Sequence, residues 1–322
     1  MAEKLIQVNN LKKYFKTKKG MLHAVDDVSF YINKGETLGL VGESGCGKST
    51  TGRAILRLHE PTSGQVVYKN DDIVKYDSKH IKSMRKKMQI VFQDPYSSLN
   101  PRLTVSELIA DPLYVNKVYK NNRETEARVR EVMETVGLEE RLMNSYPHEL
   151  DGGRRQRIGI ARALSLRPEF IVLDEPVSAL DVCIQAQILN LMNSLQKQFN
   201  LTYLFISHNL SVVKHVSDRI AVMYLGKIVE LSDYKSMFVN PRHPYTQALL
   251  SAIPIPKVGI KKEKIILEGD VPSAINPPEG CRFYGRCIYK KDICKKQTPE
   301  LKNIGDDKYV ACHFVDKQFV DK

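Results

Sequence analysis

The sequence predicts an α/β fold in which buried strands alternate with helices, and three stretches make that prediction. The first is Leu38 to Thr51, LGLVGESGCGKSTT. A short apolar run enters a glycine-rich turn, and helix-compatible residues follow through Arg53, Ala54, Ile55 and Leu56, which reads as strand, loop, helix. The second is Phe170 to Glu175, four apolar residues closing on two carboxylates. Such a run suits a strand covered on both faces, and its carboxyl end delivers acids to the crevice where α/β sheets bind ligands. The third is Thr202 to Ser207, TYLFIS, a further core strand that ends at His208.

The other elements follow in order. Met1 to Val41 reads as short strands at Ile6–Val8, His23–Phe30 and Thr37–Val41, with Asn33-Lys34-Gly35 as the turn before the last. Between the first two, Tyr14 and Phe15 stand in a lysine-rich stretch; one ring is placed either to stack on a purine or to fill a strand edge. Pro61-Thr-Ser-Gly64 is a turn, Gln65–Tyr68 a strand and Met88–Phe92 another. The latter breaks at Gln93 into the loop DPYSSLNPR, which leaves the amide free to touch a metal or water. From Thr104 to Tyr146 the pattern turns helical. Arg123–Val136 places Ala127, Val132, Met133 and Val136 on one face before Gly137, a C-cap. This insertion ends at Leu150-Asp-Gly-Gly-Arg-Arg-Gln-Arg157, and a helix is predicted from Ile158 to Leu166. Ser178 to Asp181 is a turn, Val182–Phe199 an amphipathic helix, and Arg219–Tyr224 with Lys227–Leu231 a hairpin turning at Gly226.

Composition sets limits. In 322 residues, 42% hydrophobic content is enough for a core, and no run reaches the roughly 18 to 20 apolar residues of a membrane span. The N-terminus lacks the basic-then-apolar layout of a signal peptide, so a cytosolic chain is expected. The net charge of +12 raises nucleic acid as a partner. From Pro241 onward 15 basic residues face 10 acidic ones, so the excess is spread along the chain and not gathered into a stripe.

The chemistry centres on Gly42-Glu-Ser-Gly-Cys-Gly-Lys-Ser49, which fits G-x-x-x-x-G-K-[ST] without a mismatch. Glycines let successive N–H groups turn onto an anion, and the helix start adds its positive dipole end. Lys48 would reach the β and γ phosphates and Ser49 would ligate Mg²⁺. Asp174 would hold the Mg²⁺ shell, Glu175 would orient and deprotonate water, and His208 is a candidate γ-phosphate contact.

Over roughly the first 255 positions, the order of GESGCGKS, Gln93, LDGGRRQR, IVLDE, SALD and His208 resembles the nucleotide-binding subunit of an ABC transporter. The run His243-Pro-Tyr-Thr-Gln-Ala-Leu-Leu-Ser-Ala-Ile-Pro254 with its cysteine-bearing tail is similar to the oligopeptide and dipeptide importer branch. The resemblance implies a P-loop, RecA-like ATPase core with an N-terminal antiparallel β subdomain over 1–240, a helical insertion at about 95–157 and a small Cys-rich extension over 241–322. It implies ATP held by Gly42, Ser44, Gly45, Cys46, Gly47, Lys48, Ser49 and Thr50, with Phe15 or Tyr14 on the adenine. Mg²⁺ would sit on Ser49, Gln93 and Asp174, with Glu175, His208, Lys48 and Gln93 as the catalytic set. Each ATP would lie between one subunit's phosphate loop and the other's Asp151, Gly152 and Gly153, with Asp181 at the seam. The implied partners are a second ATPase subunit, two membrane permease subunits at the cytoplasmic face and, indirectly, a peptide-binding protein; no nucleic acid is expected.

One departure matters. The family signature LSGGQ reads Leu150-Asp-Gly-Gly-Arg154 here. Asp151 turns a carboxylate, an acceptor only, toward a polyanion. Two unit charges 4 Å apart at an effective dielectric near 20 interact by about 4 kcal/mol. Arg154 and Arg155 are expected to offset part of this by pairing with Asp151 or the phosphate. A homodimer would then carry two impaired sites and a heterodimer one, which favours the heterodimer; the alternative is that Asp151 and Arg154 are tolerated variations.

Cys281, Cys287, Cys294 and Cys312 are spaced C-x5-C-x6-C-x17-C, unlike a zinc knuckle. Four thiolates so close in a cytosolic chain point to a shared metal centre; zinc, an iron–sulfur cluster and free thiols all stay open, and the resemblance implies [4Fe–4S]. Arg282, Arg286, Lys290, Lys291, Lys295 and Lys296 are expected to offset its charge. The competing functions are a soluble ABC-type ATPase on nucleic acid or ribosomes, an importer of nickel or another solute, and an iron–sulfur redox protein with a vestigial ATPase.

Overall fold

The long apolar runs become strands with no exposed residue: every position of Phe170–Asp174 and Thr202–Ser207 is buried. The computed structural model describes residues 3–253 and 264–315, so Pro254 of the run quoted above lies outside the described residues, as do 1–2 and 316–322. The chain forms two compact units.

The first unit comprises Met1–Leu5, Asn33–Glu36 and Lys75–Ile206. Met88–Val91, Phe170–Asp174 and Thr202–Ser207 lie side by side in parallel, with Met88 opposite Phe170 and Leu173 opposite Phe205. Helices Val105–Val115, Asn122–Thr135, Gly152–Leu164 and Val182–Phe199 accompany them. Thr104 and Glu107 close a capping box at the first, and Asn121 caps the second. The second helix turns Thr125, Arg128 and Val129 inward with Val132 and Met133, whereas Ala127, expected on that face, is exposed. Arg128 is buried because its guanidinium donates to the carbonyls of Leu164 and Ser165 at the end of the neighbouring helix. Two boundaries differ from expectation. DPYSSLNPR contains a one-turn helix, Pro95–Ser98, since Asp94 accepts the Tyr96 and Ser97 N–H groups. The helix expected from Ile158 starts at Gly152, because Asp151 caps it.

The second unit comprises Ile6–Ile32, Thr37–Val74 and Ser207–Lys322. Its antiparallel sheet is built on two 14-residue strands, Lys4–Thr17 and Gly20–Asn33, with Ser63–Tyr68 and Asp71–Asp72 beyond the first. The short strands expected at Ile6–Val8 and His23–Phe30 fall within these longer ones. In the other sheet Thr37–Val41 runs parallel to Arg219–Tyr224, which turns through Leu225 and Gly226 into antiparallel Lys227–Asp233. The C-terminal extension adds Tyr309–Val310 and then Lys302–Asn303 to the same sheet. Fully buried Glu230 accepts the N–H groups of Arg242 and His243, both at 2.8 Å, and so fixes the entry to helix Pro244–Ser251. No helix among the described residues is long and apolar enough to cross a membrane.

Candidate nucleotide site and cysteine cluster

The phosphate loop leaves the buried strand Thr37–Val41 and enters helix Lys48–Ile55. Gly42 and Gly47 have φ of 156° and 109°, and a Cβ would come within 2.1 Å of the Met223 carbonyl oxygen and 2.0 Å of that of Ala24. Only glycine fits either place. Gly47 sits at the N-cap with no side-chain cap bond. The ammonium of buried Lys48 donates to the carbonyls of Gly42 at 2.8 Å and Glu43 at 3.0 Å. Ser44 and Gly45 are exposed at the tip, Ser49 and Thr50 are half-buried at the helix start, and Cys46 is buried, which pushes its thiol up. A glycine-rich turn and a buried lysine at one helix start make an anion site.

In the first unit Glu175 follows buried Asp174 with φ +48°, a left-handed backbone that costs a side-chain-bearing residue on the order of 1 kcal/mol or more. Its N–H donates to the Ile206 carbonyl at 3.0 Å, its carbonyl accepts from the Ser178 N–H at 3.2 Å and hydroxyl at 3.1 Å, and its carboxylate accepts from Gln93 Nε2 at 3.0 Å. The expected base and the expected lever are thus in direct contact.

The carboxylate of Asp151 accepts the Arg154 N–H at 2.8 Å, while the Arg154 guanidinium reaches it at 3.2 Å. Arg155 takes other partners than Asp151. Arg155 is buried, donates to the carbonyls of Pro147 and His148, and stacks 3.7 Å from the ring centre of exposed Tyr96. A Cβ on Gly152 or Gly153 would meet Leu180 at 3.1 Å or Ile184 at 2.8 Å, so the glycine pair also fits the turn before helix Val182–Phe199. Asp181 starts that helix exposed, without a side-chain cap bond, and His208 is exposed at the end of Thr202–Ser207.

Of the two rings set against adenine in the sequence, Tyr14 is locked into the fold. It stacks on His23 with centroids 4.0 Å apart and donates its hydroxyl to Asp26 at 2.5 Å. Burial and that bond push its own ionisation up. Phe15 is half-buried, edge-on to His59 at 5.5 Å with the Lys13 ammonium 4.8 Å from its centre.

Cys281, Cys287, Cys294 and Cys312 line one small cavity with Phe283, Tyr284 and Tyr289. Burial, reinforced by the neighbouring thiols, pushes Cys281 up to about 12 and Cys287 up to about 11. The fold therefore gathers all four donors, soft ligands of the right kind. Among the described residues, however, no group of three or more Cys, His, Asp or Glu side chains closes into a metal-holding arrangement. Of the interleaved cations, the Lys290 charge lowers the Cys287 thiol against the effect of burial, as expected, and four have partners besides the cysteines. Arg282 pairs with Asp26 and Arg286 with Glu43, while Lys290 and Lys291 lie over the rings of Tyr284 and Phe314. The contacts of Glu43 with Tyr245 and Arg286, and of Asp26 with Arg282, join segments more than 200 residues apart, and nothing local in the sequence marks them.

The family described as ABC transporter matches residues 25–178, and the one described as oligopeptide/dipeptide transporter, C-terminal region, matches 229–294. The oligopeptide transport ATP-binding protein AppF of Bacillus subtilis (strain 168) is 52% identical over 321 residues, 97% of each chain. The oligopeptide transport ATP-binding protein OppF of the same organism is 56% identical over 266 residues, 82% of this chain and 87% of its own. The dimeric structure of the ATP-binding cassette MJ0796 in a post-hydrolysis state bound to ADP and Pi has a TM-score of 0.65 and 30% identity, covering 71% of this chain and 98% of its own.

Proposed function

The chain belongs to the ATP-binding subunits of ABC transporters and is an ATP-hydrolysing transport subunit, and from that premise we propose that it energises import of oligopeptides or dipeptides as one half of an ATPase heterodimer peripheral to the membrane. The observation that carries the ATP assignment is the phosphate loop, with Gly42 and Gly47 admitting no side chain and Lys48 bound at its mouth. In this reading Gly42, Ser44, Gly45, Cys46, Gly47, Lys48, Ser49 and Thr50 cradle the phosphates and Phe15 carries the base. Ser49, Gln93 and Asp174 would hold Mg²⁺, which neutralises phosphate charge. Glu175, oriented by Gln93, takes a proton from water, and His208 and Asp181 border the reacting phosphate. Support for peptide cargo is the match of residues 229–294 and the named relatives.

The heterodimer follows from Asp151. Its carboxylate is half-exposed and only partly neutralised by Arg154, so the Asp151, Gly152 and Gly153 edge offers a weakened signature to a partner's ATP. The four cysteines would hold the [4Fe–4S] cluster, or Zn²⁺ in its place, tying together a segment with few apolar residues. The test is co-expression with a second ATPase subunit and the two permease subunits, followed by reconstitution into vesicles. Recovery of both ATPase subunits with the permeases, and ATP-dependent uptake of short peptides, are expected. Recovery of nucleic acid in place of integral membrane proteins, or uptake of nickel but no peptide, would contradict the assignment.

A further inference from the structure

The loop that binds phosphate is held from outside by the C-terminal extension. Glu43, the second residue of the loop, is engaged at every polar group it has. Its N–H donates to the hydroxyl of fully buried Tyr245 at 3.0 Å, and its carbonyl accepts from the Cys46 N–H at 3.3 Å and from Lys48 at 3.0 Å. Its carboxylate takes Arg286 Nη1 on both oxygens, at 3.1 and 2.8 Å, with the Arg286 side chain 10% exposed and that of Glu43 25%. Tyr245 lies on helix Pro244–Ser251, and Arg286 immediately precedes Cys287. Phe283, two residues after Cys281, packs against Tyr224 and Tyr245 with centroids 5.3 and 5.5 Å away. Arg282 makes the parallel contact on the other flank, pairing with the Asp26 carboxylate that also takes the Tyr14 hydroxyl.

A charge-assisted contact of this kind, largely sheltered from solvent, fixes geometry more firmly than a surface pair. The residue it fixes presents the carbonyl that shares Lys48. We propose that Arg286 and Tyr245 are positioning residues for the phosphate loop, acting through Glu43, so that the cysteine-bearing extension sets how tightly this subunit binds ATP. Arg286 touches no reacting atom; its effect is on the pose of Lys48 and of the loop amides. The proposal rests on the assignment of this loop as the ATP site and adds to it a control element outside residues 25–178.

The test is equilibrium binding of a fluorescent ATP analogue with Mg²⁺ to the full chain, its Arg286→Ala, Arg286→Lys and Glu43→Gln variants, and the Arg286→Ala/Glu43→Gln double variant. Glu43→Gln breaks the link from the loop side and leaves the extension's own sequence intact. The dissociation constant is expected to rise about tenfold in Arg286→Ala and Glu43→Gln, the scale of one charge-assisted hydrogen bond. Arg286→Lys should recover part of the loss, and the double variant should be no worse than either single one. Unchanged affinity in both single variants, or losses that add in the double variant, would overturn the proposal. An unmodified chain that binds no nucleotide would overturn the ATP assignment itself, and this inference with it.

Discussion

Glu175→Gln is expected to lower ATP turnover by about 10²- to 10⁴-fold while leaving ATP affinity within about twofold, the span that general-base catalysis contributes. The amide has nearly the shape of the carboxylate, and its oxygen can still accept from Gln93 Nε2, now at 3.0 Å, so the contact that orients the group survives. The backbone at φ +48° is held by the Ile206 carbonyl, which the substitution does not touch. What is lost is the capacity to take a proton from the attacking water. Steady-state phosphate release with nucleotide binding on the same preparation separates the two effects. A fall of less than tenfold would move the base to another residue.

Lys48→Ala is expected to act on binding first. The ammonium is buried and is the only side-chain cation within the loop sequence Gly42 to Ser49. Charge-assisted hydrogen bonds contribute about 1.5–3 kcal/mol each, so the loss corresponds to a rise in the ATP dissociation constant of about 10- to 100-fold. The variant also leaves the carbonyls of Gly42 and Glu43 without the donor they share. A lower melting temperature in the absence of nucleotide is therefore expected alongside the binding defect. Titration of ATP and thermal melts of the same sample check both; undiminished affinity in a folded variant would remove Lys48 from the phosphate site.

The parts legible in the sequence were those whose physics is local. A phosphate loop must have glycine where φ is positive and a backbone passes close, so Gly42 and Gly47 announce it. Strands buried on both faces must be mostly apolar, so the run from Phe170 reads as the strand that ends at Asp174, one residue before Glu175, and Thr202–Ser207 reads with its observed bounds. Signals shared between distant segments were not legible. Asp151 reads in the sequence as a charge facing phosphate, and the fold adds that its carboxylate also accepts the N–H of Arg154 in its own helix. The same short-range pattern, Asp followed three residues later by a helical N–H, was available as a capping signal and fell inside a motif read for another purpose. Arg155, Arg282 and Arg286 look alike in sequence as cations near a polyanion or cluster. Only the fold shows one stacked on Tyr96 and the others paired with Asp26 and Glu43. Of the two short strands of the extension, Tyr309–Val310 pairs with the edge of Lys227–Asp233 and Lys302–Asn303 pairs in turn with Tyr309–Val310, and two residues carry no periodicity to read.

The proposal that this transport ATPase needs a second, different subunit is tested most directly by steady-state ATP turnover of the purified chain alone, compared with Asp151→Ser. Serine caps a helix about as well as aspartate, so the helix Gly152–Leu164 keeps its start while the carboxylate is removed. The account expects the unmodified chain to be nearly inactive and the variant to turn over ATP at least about tenfold faster, as expected from relieving charge repulsion of a few kcal/mol after screening. An unmodified chain that hydrolyses ATP as a homodimer at the rate of the variant would contradict the weakened signature and, with it, the requirement for a partner.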